Sequence, residues 1–159
     1  MNLISTKLSA ITSSMTIEVA TKAKEMIRNG EDVIDLGAGE PDFDTPEIIK
    51  AAAIESITAG KTKYTPTEGI LELREAICQQ YFKKYQIRYT PSEVMVSCGA
   101  KHSLFNLFFS LLDPGDEVII PSPYWVSFPE MVKLSGAISV VIPCSEKTEF
   151  KLSPELLSR

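Results

Sequence analysis

The sequence lacks the residue clusters on which metal, redox and nucleic-acid sites depend. It has one histidine, His102, and three cysteines, Cys78, Cys98 and Cys144, whose spacing matches no metal-ligand motif. Its 16 basic residues are outnumbered by 21 acidic residues and form no cluster, so the net charge is −5. No nucleic-acid-binding surface is expected from this charge pattern. The odd, scattered cysteines favour a reduced, cytoplasmic protein with buried thiols.

Long apolar runs are also absent. The longest, residues 104–112, is interrupted by Asn106 and Ser110 and is too short to cross a bilayer. Residues 1–15 are rich in serine and threonine and lack the apolar stretch of a secretory signal. With 44% apolar and 23% charged residues, the 159-residue chain has the composition of a water-soluble globular protein, and no membrane association is expected.

The sequence does contain alternating helix and strand signals. After an irregular arm at 1–15, it predicts helices at residues 16–29, 45–60, 69–85, 100–112 and 125–134, with a helix start at 154–159. Short apolar runs predict strands at 33–36, 94–96, 118–120 and 138–142. From residue 94 onward, this order indicates parallel βαβ units of an α/β fold. The helix at 100–112 is apolar nearly all round and is expected to be buried.

One segment has the features of an anion site. Ser97-Cys98-Gly99-Ala100-Lys101 follows a predicted strand and opens a predicted helix. Small residues let the backbone approach a ligand, and a helix start offers unpaired N–H groups with a partial positive charge. The pattern therefore predicts a phosphate site, although it is neither a Walker loop nor G-x-G-x-x-G, and a plain tight turn explains the same residues.

Three further segments carry weaker signals. Residues 121–125 follow a predicted strand, at the edge of the sheet where α/β proteins bind ligands, and include the single tryptophan, Trp125. That ring can stack on a flat cofactor or belong to the core. Residues 37–43, centred on Gly39, can offer backbone N–H groups to a carboxylate or form a simple turn. Residues 61–64, ending in Tyr64, are a polar segment that an ordinary solvated loop also explains.

Taken in order, these segments resemble the class I aminotransferases, and most of all the bacterial aspartate aminotransferases. The signature-like stretch is Ala38-Gly39-Glu40-Pro41-Asp42-Phe43-Asp44-Thr45-Pro46. The similarity continues at residues 61–66, 69–74, 99–101, 106–108, 112–118 and 121–127. It covers nearly all the chain from about residue 14 onward.

The resemblance implies a pyridoxal 5'-phosphate enzyme that works as a homodimer, and it gives roles to particular residues. Gly99, Ala100 and Lys101 would hold the cofactor phosphate, and Trp125 would lie against the pyridine ring. Tyr64 would reach the cofactor phosphate of the neighbouring subunit. Gly39 would bind the substrate α-carboxylate, while Thr16 and the Lys101 side chain would face the distal carboxylate of a dicarboxylic substrate.

The same resemblance implies the fold and its division into parts. The fold would be the fold-type I transferase, with an N-terminal arm at 1–15, a small-domain segment at 16–48 and the first part of the large cofactor-binding domain at 49–159. The intact protein would exchange an amino group between aspartate or glutamate and 2-oxo acids. Its physiological donor and acceptor are not indicated. Relatives that accept prephenate usually carry Lys-Pro where this chain has Thr12-Ser13, which argues against prephenate as a substrate.

The family's Schiff-base lysine, its partner for the pyridine nitrogen and its carboxylate-binding arginine all follow the point where this sequence ends. None of the lysines present lies in a segment resembling the Schiff-base motif. The sequence therefore favours an incomplete N-terminal portion that is inactive alone. Two alternatives stay open: another fold-type I enzyme, such as a C–S lyase, and a non-catalytic chain that acts only as an interaction partner.

Overall fold

The computed structural model describes residues 3–37 and 39–158. Met1, Asn2, Ala38 and Arg159 lie outside the described residues, so the predicted arm, glycine-rich loop and last helix are each described without those positions. In chain order the elements are α1 (Thr6–Ser9), α2 (Met15–Arg28), α3 (Glu47–Thr58), α4 (Leu71–Tyr85), α5 (Ala100–Leu111), β1 (Glu117–Ser122), α6 (Ser127–Ser135), β2 (Ile138–Pro143) and α7 (Pro154–Leu157). Short 3₁₀ turns lie at Pro91–Glu93 and Glu146–Thr148.

The chain packs as two units, one formed by residues 3–37 and 98–158 and the other by residues 39–97. The first unit contains a parallel β-α-β arrangement, in which β1 and β2 pair from Glu117 with Ile138 to Ser122 with Pro143, and α6 connects them. The fully buried Val132 of α6 packs with Ile120 and Ala137 to form the core of this unit. This is the α/β class that the sequence predicts.

Helix α6 shows why this part of the sequence folds as it does. Its buried residues Met131, Val132 and Ser135 share one side of the helix, as an amphipathic helix on a sheet requires. Gly136, at φ +93°, ends the helix in a left-handed conformation that favours glycine. The chain then enters β2 directly, which sets α6 against the sheet and places the loop before it at the carboxyl end of β1.

The second unit is held by a short network around Arg74 of α4. Its Nε donates to the carbonyl of Gly69 at 3.1 Å, its Nη1 donates to the carbonyl of Pro91 at 2.9 Å, and its Nη2 lies 3.5 Å from Glu68 Oε1. The Val96 N–H also donates to the Glu68 carbonyl at 2.9 Å. These bonds join the start of α4 to the 3₁₀ turn and to the segment that follows it.

Most predicted helices are confirmed within a few residues, and the differences have local causes. Pro46 is the N-cap of α3, so the helix begins at Glu47 and not at the predicted residue 45. The arm, predicted to be irregular, contains the short helix α1, because the Ser5 hydroxyl accepts the Leu8 N–H at 3.2 Å and caps it. The predicted domain boundaries at 15 and 48 stay a prediction.

Two predicted strands are absent from the described chain, and the prediction that the helix at 100–112 is buried is wrong. Residues 33–36 and 94–96 form no strand, because a strand needs a hydrogen-bonded neighbour and neither segment has a ladder partner among the described residues. Helix α5 has no buried residue, although it was expected to be enclosed. Within the described chain it packs mainly against α6, Phe108 reaches the core of the first unit, and Leu107, Phe109 and Leu111 are exposed. No helix in the described ranges is long and apolar enough to cross a membrane.

Candidate functional site

The start of α5 has the geometry of an anion-binding turn. Gly99 adopts φ +87° and ψ 166°, a backbone conformation essentially restricted to glycine. A Cβ at this position would meet no heavy atom within 4 Å, so the backbone is open to a ligand. The Gly99 carbonyl accepts the N–H groups of His102 and Ser103 at 3.1 and 3.2 Å. The N–H groups of Ala100 and Lys101 have no acceptor among the described residues and remain available to an anion.

This turn is fastened by a side chain that the sequence did not single out. The Cys98 N–H donates to His102 Nδ1 at 3.2 Å, which closes the turn around Gly99. Both residues are exposed, so the expectation of a buried thiol is wrong for Cys98. Of the free cysteines, Cys144 is buried as expected and Cys98 is not. In the sequence, the four-residue spacing of Cys98 and His102 across a predicted helix start was the signal that could have indicated this hydrogen bond.

Trp125 lies beside the same helix start. It follows β1 and a cis Ser122–Pro123 peptide bond, at the carboxyl end of the strand. Trp125 is 41% exposed, so within the described chain it is not a core residue. Lys101 Nζ lies over the ring at 4.6 Å from its centroid, and Phe128 meets it edge-to-face at 5.5 Å. Two residues that the sequence predicted separately are therefore in contact, through a cation–π interaction.

A cavity of about 820 Å³ opens next to this contact. The N-terminal residues 11–15 form one part of its wall, and α5, α6 and the residues just before these two helices supply the rest. Lys101 and Glu130 are its charged lining residues within the described chain. Thr16, predicted to face a substrate carboxylate, is half-buried in the first turn of α2 and does not line the cavity, whereas its neighbours Ser14 and Met15 do.

The remaining predicted residues belong to the second unit. Tyr64 is fully exposed, and a Cβ on Gly39 would meet nothing within 4 Å. Their placement relative to Lys101 and Trp125 stays a prediction. Among the described residues, no group of histidine, cysteine and acidic side chains is arranged to hold a metal ion. The chemistry that the first unit offers is therefore anion binding by backbone N–H groups, next to an aromatic ring and one lysine.

Comparison with known proteins gives this site a context. Residues 31–159 match the family described as aminotransferase class I and II. The chain is 51% identical over 157 residues to an aspartate/prephenate aminotransferase of Cereibacter sphaeroides, covering 99% of this chain and 39% of that protein. It is 50% identical over 151 residues to the aspartate aminotransferase of Bacillus subtilis, covering 95% of this chain and 38% of that protein.

Solved structures of aspartate aminotransferases also resemble this chain. The aspartate aminotransferase of Thermus thermophilus with maleate superposes with a TM-score of 0.95 at 46% identity, over 99% of this chain and 41% of that one. The Thermotoga maritima aspartate aminotransferase gives a TM-score of 0.90 at 44% identity, over 98% of this chain and 41% of that one. The chain therefore spans about two fifths of the length of the curated relatives it matches.

Proposed function

This chain belongs to the class I and II aminotransferase family and has the fold-type I architecture of its structural neighbours, and from that premise we propose that it forms the phosphate- and side-chain-binding part of a pyridoxal-phosphate-dependent aspartate aminotransferase. The proposed reaction moves an amino group between aspartate or glutamate and a 2-oxo acid. One observation carries the proposal: Lys101 Nζ lies 4.6 Å from the Trp125 ring centroid, beside a helix start with free N–H groups.

The residues at this helix start fit a phosphorylated, flat cofactor. The open backbone at Gly99 leaves room for a phosphate group, and the N–H groups of Ala100 and Lys101 can donate to its oxygens. Trp125 offers an aromatic surface within reach of that phosphate position. When bound, pyridoxal phosphate supplies an electron sink for charge that develops at the substrate α-carbon. The chain's own contribution is to hold the phosphate and fix the plane of the ring.

The cavity beside Lys101 fits the side chain of a dicarboxylic amino acid. Lys101 is a cation at its wall, and a charge-assisted hydrogen bond to a carboxylate is among the stronger polar contacts. The Thermus thermophilus relative was solved with maleate, which is a four-carbon dicarboxylate. We assign Thr16, which does not line the cavity but directly follows the lining residues Ser14 and Met15, to the same end of the substrate, and Gly39 to the α-carboxylate. Prephenate is not proposed, because Thr12 and Ser13 add no second cation to the cavity wall.

A homodimer is part of this proposal. Tyr64 is fully exposed in its own unit, which supports a role in reaching the cofactor phosphate of a second subunit. We also propose a cytoplasmic location, which is supported by three cysteines that are all free. Cross-linking of the active protein should give a dimer, and a monomer with full activity would contradict the role of Tyr64.

The phosphate site can be tested with the single tryptophan as a reporter. Because Trp125 is the only tryptophan, the intrinsic fluorescence at its wavelength reports on this ring alone. Pyridoxal phosphate should quench it at lower concentration than pyridoxal, which lacks the phosphate. Gly99→Glu should abolish this difference, because it strains the backbone and puts a negative charge beside the helix start.

Gly115→Glu is the matched control. Gly115 also has a positive φ, +99°, and a Cβ there would likewise meet no heavy atom within 4 Å. It lies in the turn between α5 and β1, at the opposite end of α5 from Gly99. This variant should keep the preference for the phosphorylated compound. Equal quenching by both compounds in the wild-type chain, or retention of the preference in Gly99→Glu, would refute the phosphate assignment.

A further inference from the structure

Two charged residues of α6, Glu130 and Lys133, bind backbone groups of the N-terminal segment, which lies more than a hundred positions earlier in the sequence. The Thr12 N–H donates to Glu130 Oε2 at 3.1 Å, across 118 residues of sequence. Lys133 Nζ donates to the Ala10 carbonyl at 3.1 Å, across 123 residues. The two side chains also form an ion pair, with Lys133 Nζ at 3.1 Å from both carboxylate oxygens of Glu130.

The chemistry of the pair matches what this segment needs. Residues 10–14 lie between α1 and α2, outside any helix or strand, so their backbone groups have no ladder partners. A carboxylate accepts an N–H and an ammonium has three donors, so Glu130 and Lys133 together can satisfy one backbone donor and one backbone acceptor. An isolated surface ion pair contributes little to stability. Here each charged group also makes a hydrogen bond to the backbone of a segment that is distant in sequence.

The bound segment forms part of the cavity wall beside Lys101. Residues 11–15 line that cavity, and Glu130 lines it too. The carboxylate of Glu130 is only 23% exposed and is compensated by Lys133 and Thr12. Because Glu130 is compensated in this way, Lys101 is the charged residue of the described cavity wall that has no ion-pair partner, and it can meet an acidic ligand.

We propose that Glu130 and Lys133 are positioning residues that hold residues 10–14 on α6 and so fix the wall of the substrate side-chain pocket, and this assignment rests on the proposed aspartate aminotransferase function. The pair acts on the substrate through two effects. It keeps the pocket closed on the N-terminal side, and it prevents an unpaired carboxylate from repelling the acidic end of the substrate.

The positioning can be measured without catalysis, in a full-length protein that carries this sequence. Amide hydrogen exchange at Thr12 should become about tenfold faster in Glu130→Ala, the size of one charge-assisted hydrogen bond. Exchange at Val132 and Ile120, in the core, should stay unchanged in the same sample. Glu130→Gln should restore part of the protection, because its amide oxygen still accepts a hydrogen bond. Unchanged exchange at Thr12, or equal acceleration at the core positions, would overturn the proposal.

The effect on the substrate is tested in a catalytically active protein that carries this sequence. Lys133→Met should raise KM for aspartate about tenfold and change kcat less, because it removes binding that is uniform along the reaction. Turnover of alanine, which has no distal carboxylate, should be unaffected, and Lys133→Arg should restore aspartate binding. Lys147→Met is the control, since Lys147 has no ion pair in the described chain.

These two experiments separate the two proposals. Equal losses for aspartate and alanine in Lys133→Met would mean a general structural role and would overturn the positioning assignment. If the wild-type protein turned over no aspartate, the proposed function would fail, while the exchange at Thr12 would still decide whether Glu130 holds the N-terminal segment.

Discussion

Arg74 joins three parts of the second unit through polar contacts. Its guanidinium is 11% exposed and reaches two backbone carbonyls and the carboxylate of Glu68. The turn it fastens, which includes Gly69, lies only a few residues after Tyr64. A Cβ on Gly69 would stand 2.9 Å from the Val96 side chain, so the backbone here is closely packed as well. Arg74 therefore supports the loop that carries a predicted cofactor contact.

Arg74→Lys should lower the free energy of unfolding by about 1–3 kcal/mol, the cost of leaving partly buried acceptors unpaired. Lysine keeps the charge but has a single ammonium and cannot reproduce the planar fork that reaches all three partners. Chemical denaturation followed by circular dichroism measures the change. Arg28→Lys, at the exposed end of α2, is the control and should have no measurable effect. An equally small effect of Arg74→Lys would show that these bonds add nothing.

For Trp125, the sequence predicts the position in the sheet but not the exposure of the side chain. Its position after an apolar strand was enough to predict the carboxyl end of the sheet, because strand ends follow from the local pattern. Whether the ring was buried or open to a ligand was not predictable, since that depends on α5 and α6. Its contact with Lys101, which precedes it by a whole helix and a strand, is a tertiary fact of the same kind.

At the scale of elements, the 3₁₀ turn at Pro91–Glu93 is closed by a hydrogen-bonded carboxylate. Glu93 Oε2 accepts the backbone N–H of Thr90 at 2.8 Å and its hydroxyl at 2.8 Å. The pKa of Glu93 lies below the ordinary range of a glutamate. The larger cause is the hydrogen bond from the Thr90 backbone N–H, and the second is the hydrogen bond from the Thr90 hydroxyl. The charged form of Glu93 is therefore the one that the folded turn stabilises.

Because of this turn, the free energy of unfolding of the second unit should depend measurably on pH. Because the pKa of Glu93 is lower in the folded state, its contribution is fully present above the pKa of the unfolded chain and is lost as pH falls through the folded value. The difference in unfolding free energy between wild type and Glu93→Gln should therefore be constant near neutral pH and shrink in acid. Denaturation at a series of pH values measures it. Glu55→Gln, on α3, is the control, and a difference that does not change with pH would contradict the assignment.

The contrast between α5 and α6 shows which element-level predictions succeed. Both were predicted as helices from their periodicity, and both are helices with nearly the predicted bounds. Only α6 has buried residues, because it connects two paired strands and packs one side against them. The apolar composition of α5 correctly indicates a helix that is suited to burial, but composition does not determine which neighbours the described chain supplies.

At the scale of the whole molecule, the described chain exposes much apolar surface. Large apolar side chains more than half exposed include Phe109 and Leu111 on α5 and Ile48 and Ile57 on α3. Exposed apolar surface, where it is contiguous, binds other protein surfaces or promotes aggregation. The chain also spans only about two fifths of the length of its curated relatives.

The 159-residue chain alone is therefore expected to bind a hydrophobic dye, to associate as its concentration rises and to show no transamination. None of its lysines lies in a segment resembling the Schiff-base motif, so the covalent step has no candidate nucleophile. Light scattering and a coupled assay with aspartate and 2-oxoglutarate measure these properties. Turnover, with borohydride attaching one cofactor to a single lysine, would contradict the prediction.

The sequence by itself determined most of the helices and the turn at Gly99 that opens α5, because these features depend on residues a few positions apart. It also determined the family, through the order of its segments. Tertiary structure alone decided that residues 33–36 and 94–96 are not strands, that α5 is exposed, and that Lys101 contacts Trp125. It alone placed Glu130 and Lys133 on the N-terminal segment, since these bonds join residues 118 and 123 positions apart, and no local pattern encodes a pairing over that distance.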